Sequence, residues 1–340
     1  FVGERAAAYI SEHANDDQPF FLTASFPDPH HPFNPPLETA LRYKDVPVKM
    51  PVNEDDDLHT RPRHYHYHQY GVWHRAGLLH PLPDMPEEDK EKCGKCANQI
   101  AQFMDEKILQ GLGLLTHGDS SGEEYKPSVL SAHERDQRIR NTYAMVDLID
   151  KGVGKILDAL KESGALEDTV IIFTADHGEL MGDHGLWLKG PFFYDGLVNV
   201  PLMMHTPEDN ASVTEVLASS VDIYPTCCEL LGVPTPRSCD GMSQAAALRG
   251  EKVRTECLFE YRNGYFENDV YTLGYVDEKY KFVQYQNGDV EMTDRINDPE
   301  ENVNIVYNGA NPELLAEYRN KMLNMVLNTA SKFPEQYCHA

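Results

Sequence analysis

Residues 131–174 narrow the range of folds this chain can adopt. Ser131 and Glu134 have the spacing of a capping box, and Ile139, Tyr143, Val146, Ile149, Val153, Ile156 and Leu160 then recur at three- and four-residue steps. That pattern predicts an amphipathic helix of roughly 30 residues, ended by Gly164. A short β-branched and aromatic run follows, Thr169–Thr174, whose length and apolarity suit a strand buried on both faces. A helix feeding such a strand is an αβ unit. It predicts an α/β fold with a mainly parallel mixed sheet flanked by helices.

The flanking segments extend this reading. Residues 1–14 place Val2, Ala6, Ile10 and His13 at helical spacing, and Pro19–Ala24 reads as a second buried strand. Ser219–Gly232, with Asp222 and Pro225 at its start, reads as a helix, and Arg237–Gly250 as a linker. From about Cys257 the pattern changes to short strands near 257–262, 270–276, 279–286 and 289–293, with turns at Asn263-Gly264, Asp277-Glu278 and Asn287-Gly288. A helix near Pro312–Ser331 closes the chain. The expected division is therefore 1–250, an α/β unit, and 251–340, a small α+β subdomain with an antiparallel sheet and one covering helix. Residues 37–130, rich in Pro, His and charge, read as an irregular insertion over a site, with a short helix at 97–110. His59, His64, His66, His68, His74 and His80 crowd one stretch of it, where the interleaved aromatics favour a substrate-facing loop over a metal tract.

Charge and cysteine content exclude some partners. Asp and Glu total 55 against 30 Lys and Arg, a formal charge of −25, which argues against nucleic acid or an anionic membrane surface. No run of apolar residues is long enough to span a bilayer. The seven cysteines include one Cys-x-x-Cys, Cys93 and Cys96, with no second pair at zinc-site spacing, and Cys227 and Cys228 lie in an apolar helical run.

The strand ending at Thr174 runs into an abruptly polar loop. Asp176, His177, Glu179, Asp183 and His184 are interleaved with Gly178, Gly182 and Gly185. In open α/β sheets ligands collect beyond the carboxyl ends of strands, so a site is expected here. Asp176 offers a hard oxygen ligand and His177 a nitrogen, a pair suited to calcium, magnesium or manganese. A second polar loop, Ser25–Phe33, carries His30 and His31 between prolines that restrict its backbone. The alternatives are solvated carboxylates, a His184 that caps a turn, and a His30 that packs between prolines.

The ordered run T-A-D-H-G-E, then G-D-H-G-L-W-x-K-G-P-F-F-Y and V-P-L, resembles the sulfatase family (arylsulfatase-like) of the alkaline phosphatase superfamily. Y-A-M-V-x-x-I-D at Tyr143–Asp150, S-V-D-I-Y-P-T after Ser219 and N-D-P-E-E-N after Ile296 are similar to further family segments, and Pro29-His30-His31-Pro32 matches its P-H-x-P element. The resemblance implies an alkaline phosphatase-like fold and a sulfuric ester hydrolase. It implies Asp176 and His177 as metal ligands, with calcium the first choice and manganese or magnesium the others. It implies His30 and Lys189 as catalytic and substrate-binding groups, with His184 contacting substrate or shaping the loop. The substrate would be a small-molecule or carbohydrate sulfate ester, and the location periplasmic or secreted. A phosphonate monoester or phosphodiester hydrolase, and a non-catalytic metal-binding remnant, are the alternatives.

Parts of the family pattern are missing. No Cys or Ser here begins C/S-x-P-S-R, the motif oxidised to formylglycine, and the paired N-terminal aspartates and the G-K-W-H element are absent. The expectation is therefore the C-terminal portion of a longer sulfatase, with formylglycine supplied upstream, or a protein that lost its nucleophile. In either case this chain by itself is expected to be inactive.

Overall fold

The computed structural model describes residues 1–54, 60–62, 65, 132–207, 212–263 and 270–330. Helix α1 (Val2–His13) buries Gly3, Ala6 and Ile10. Helix α2 (Leu37–Tyr43) is a short element bearing Arg42. Both pack on helix α3 (Ala132–Glu162), the 31-residue helix that the apolar spacing predicts. Gly3 and Gly152 meet where α1 crosses α3, so closely that a Cβ on Gly3 would stand 2.5 Å from the Gly152 carbonyl oxygen. Ile10, Ala159 and Leu160 form the apolar contact beyond that crossing. Gly164 ends α3 at φ +76°, with the Ala165 amide bonded back to the Leu160 carbonyl at 2.9 Å.

Strand β1 (Ile171–Thr174) follows, shorter than Thr169–Thr174 and half-buried instead of buried on both faces. It pairs antiparallel with β2 (Leu202–His205), Ile171 opposite His205 and Thr174 opposite Leu202. Among the described residues this antiparallel pair is the whole of the first sheet. Pro19–Ala24 differs from expectation. It is extended, but no strand lies beside it among the described residues, and Phe21 is 78% exposed while Phe20 packs edge-on to Tyr9. A strand exists through its ladder, and composition alone cannot supply the neighbour.

Helix α4 (Asp195–Val198) precedes β2, and α5 (Ile223–Leu230) continues from a 3-10 turn, Ser220–Asp222, that opens on a capping box between Ser219 and Asp222. The expected linker 237–250 ends in a 3-10 turn at Ala245–Arg249. Strands β3 (Glu256–Asn263), β4 (Val270–Asp277), β5 (Tyr280–Tyr285) and β6 (Val290–Asp294) form an antiparallel meander in chain order, close to the four strands read from the sequence. The Asp277 carboxylate accepts the Lys279 and Tyr280 amides at 2.9 and 3.0 Å, closing the β4–β5 turn, and Gly288 takes φ +93° in the next one. Helix α6 (Pro312–Ala330) lays Tyr318 and Met322 against Tyr275, Phe282 and Met292. A second core joins this sheet to the loop after β1: Leu180, Leu186, Phe192, Phe193, Tyr194 and Leu197 pack with Tyr65, Val283 and Tyr285. The 97–110 helix, the histidines at 59–80, Cys93, Cys96 and Ser131 lie outside the described residues. No described helix is long and apolar enough to cross a membrane.

Candidate functional site

The loop after β1 is wound tightly. Met181, Gly182, His184, Gly185 and Leu188 all take positive φ, which puts three side-chain-bearing residues in the left-handed region within one short segment. Two contacts force this path. A Cβ on Gly178 would fall 2.1 Å from the Gly196 carbonyl oxygen, and the Gly178 amide donates to the Leu197 carbonyl at 2.7 Å, so the loop lies directly on α4. On the other side, Asp183 accepts the Val52 amide at 2.8 Å while the His184 amide donates to the Val52 carbonyl at 2.7 Å.

Asp176 is the exposed tip, its side chain 87% accessible, and it accepts the His177 amide at 2.9 Å. His177 Nδ1 lies 2.8 Å from the Gly178 carbonyl. A carbonyl only accepts, so Nδ1 carries the proton and Nε2 presents its lone pair. That nitrogen stands 3.5 Å from Asp176 Oδ2. The two donors therefore converge, with the imidazole oriented by a second bond as metal-ligating histidines are. Among the described residues no third His, Cys, Asp or Glu joins them. The pair fits half of a divalent-cation site.

Lys189 is half-buried, and among the described residues it has no ion pair. Its charge acts on two neighbours that the sequence places far apart. Burial, followed by the charges of His30 and Lys189, pushes the His31 imidazole down to about 4. Burial raises Glu179 to about 7, against the opposing pull of the Met181 and Leu188 amides and of Lys189. The structure thus brings together the His30-His31 loop and the loop bearing Lys189. The His30 and His31 rings lie 3.9 Å apart, and the exposed His30 donates from Nδ1 to the His31 carbonyl at 2.7 Å, which leaves Nε2 outward.

His184 sits elsewhere. At 2% exposure its ring stacks on Tyr194 at 3.9 Å and 9°, so in this arrangement it supports the loop and does not face a ligand. His31 and Glu179 are the two groups near Lys189 to which the sequence assigns no role. Both stand inside the motifs, but only the folded arrangement shows which side chains turn inward.

Helix α3 carries both loops. Asn141 Nδ2 donates to the Phe33 carbonyl at 2.8 Å and is itself oriented by Gln137 at 2.9 Å. One turn away, the Arg138 guanidinium lies over the Trp187 ring at 5.3 Å, where burial pushes it down to about 10. The spacing of Arg138, Asn141 and Thr142 puts them on one face of the helix, with Thr142 in contact with the Met181 sulfur at 3.9 Å.

Comparison with known proteins decides the family. The sulfatase family model matches residues 2–233, more than half of the chain. The chain belongs to the sulfatase family. A further model, N-sulphoglucosamine sulphohydrolase, C-terminal, matches residues 182–328 of the same sulfatase chain, across the loop and the meander. The uncharacterized sulfatase YidJ of Escherichia coli is 25% identical over 337 residues, covering 99% of this chain and 56% of YidJ, so the chain spans little more than half of that relative. Among solved structures, a protein in complex with its substrate D-glucosamine-2-N,6-O-disulfate superposes with a TM-score of 0.69 at 20% identity, over 99% of this chain and 71% of that one. The phosphonate monoester hydrolase of Agrobacterium radiobacter superposes at 0.66 and 24% identity, over 96% and 60%. The α/β alkaline phosphatase-like architecture expected from the sequence is shared with these proteins.

Proposed function

We propose that this sulfatase chain supplies the distal half of a metal-assisted sulfuric ester hydrolase site. The observation that carries the reading is Lys189, a half-buried cation without an ion pair among the described residues, set beside the His30-His31 loop. An unpaired ammonium in a partly desolvated place favours a bound anion. Lys189 would donate to an oxygen of the sulfate group. His30, with Nδ1 held by the His31 carbonyl, has Nε2 free to carry a proton toward the departing oxygen when the ring is protonated. Asp176 and His177 would hold a divalent cation, calcium first and manganese or magnesium as the others, through one carboxylate and the Nε2 lone pair. When bound, that cation neutralises negative charge on the ester oxygens. The nucleophile in this reading is a formylglycine, and no Cys or Ser of this chain begins the motif that carries it, so the chain by itself is not expected to turn over an ester.

A sulfated carbohydrate is the substrate class this reading favours, because the similar glucosamine disulfate-bound structure has such a ligand. The same reading places the protein in the periplasm or outside the cell. Phosphonate monoester or phosphodiester hydrolysis is the second reading, favoured by the likeness to the phosphonate monoester hydrolase. Calorimetric titration of the chain with calcium and with manganese tests the metal half. Binding is expected in the wild type and is expected to weaken at least tenfold in Asp176→Ala and His177→Ala; equal binding by all three proteins would remove the assignment.

A further inference from the structure

Beyond Lys189 the loop returns to the body of the protein through Phe192–Asp195, where it meets a buried group of charges. Lys281, in β5 and 3% exposed, donates from Nζ to the Phe193 carbonyl at 2.8 Å, to Glu301 Oε1 at 2.6 Å and to the Asp195 carboxylate. Glu301, 5% exposed and at φ 57°, accepts the Asp195 amide on Oε2 at 2.6 Å, while its own carbonyl accepts from Arg61 at 2.6 Å. Among the described residues Lys281 Nζ reaches Phe193, Asp195 and Glu301, and Glu301 closes the circuit back onto Asp195. Lys281 from the sheet and Glu301 from the segment after β6 thus both bond to the loop.

Burying such charges is costly, and apolar side chains of equal volume would hold a sheet to a loop at least as firmly. What the charges add is placement, because the bonds from Lys281 and Glu301 to the loop end on defined atoms, the Phe193 carbonyl and the Asp195 amide and carboxylate. The other end of the loop is held at Leu188, whose carbonyl accepts the Leu180 amide at 3.2 Å. Phe192, at 1% exposure, is fixed in the core, so Lys189, Gly190 and Pro191 span two anchored points.

We propose that Lys281 and Glu301 are positioning residues, a clamp through which the C-terminal sheet sets where Lys189 stands. The clamp rests on the reading of Lys189 as an anion contact, and it makes anion affinity depend on side chains that never touch the anion.

Hydrogen exchange followed by mass spectrometry on this chain, combined with titration by inorganic sulfate, tests the clamp. Glu301→Gln keeps the shape and removes one charge; Lys281→Met removes the hub, and should that variant fail to fold, Glu301→Gln carries the test. Lys321→Met is the control, since Lys321 pairs with Asp277 and Glu317 on the opposite side of the sheet. In Glu301→Gln the amides of 188–195 are expected to exchange at least tenfold faster while β4 and β5 stay protected, and sulfate binding is expected to weaken three- to tenfold. Unchanged loop exchange, or a loop and sheet that open together, would overturn the clamp. Loop loosening in a protein whose wild type binds no sulfate would keep the clamp and remove the reading of Lys189.

Discussion

Lys189 acts on an acid and a base whose protonation moves in opposite directions. Glu179, raised by burial to about 7, and His31, lowered by burial to about 4, are both neutral between those values, and the Lys189 charge is then uncompensated. Above about 7 the Glu179 carboxyl ionises beside it. Since the folded value lies above the ordinary 4.5, the folded state holds the proton more tightly than the unfolded chain, and stability falls as pH rises from 4.5 to about 7. Glu179→Gln removes that penalty. The variant is expected to gain about 1–3 kcal/mol on wild type at pH 8 relative to pH 5, on the scale of 1.36 kcal/mol per pKa unit. Urea melts at the two pH values measure it, and an equal difference at both would sink the idea. Neither residue's state is legible in the sequence. Glu179 reads as one more solvated carboxylate of a polar loop, and its burial accompanies left-handed backbone at Met181, His184 and Leu188, three positions where the sequence carries no glycine.

At the scale of elements, α3 is the bench on which the two polar loops rest, and its length was readable because seven apolar residues recur with a helical period. The meander was readable for the matching reason: alternation and turn residues are local signals, and they place β3 to β6 close to their observed bounds. Strand pairing is not local. The antiparallel match of β1 with β2 and the unladdered Pro19–Ala24 could not be read from segments whose composition suits any buried strand. The contact from Asn141 to the Phe33 carbonyl is likewise invisible in a helix position that reads as surface. Asn141→Ala removes this donor from a partly buried carbonyl and is expected to cost about 1–2 kcal/mol in thermal or urea unfolding. It is also expected to shift the His30 and His31 ring resonances, and unmoved rings would deny α3 its part in placing that loop.

Across the whole molecule, the parts before and after Gly250 are joined by the core around Leu180 and Val283, by the Lys281 cluster, and by a further buried ion pair. Asp222, fully buried at the start of α5, accepts the Ser219 and Met242 amides, each at 2.9 Å, and Arg254 Nε at 2.8 Å, joining that helix to the approach of β3. Arg254→Leu leaves a buried carboxylate without its cation and is expected to cost about 3–5 kcal/mol in urea unfolding, the range for breaking a buried pair. A loss under 1 kcal/mol would show the pair to be replaceable. The two-stranded β1–β2 sheet has a different consequence, a colloidal one. Among the described residues its outer backbone edges have no strand beside them, and Phe21 projects from the extended segment nearby, a template on which other chains can add strands. A formal charge of −25 holds such chains apart over distances of about 10 Å at 0.1 M salt, and that range shrinks to about 3 Å at 1 M. Dilute buffer therefore keeps these edges apart, and brine lets them meet.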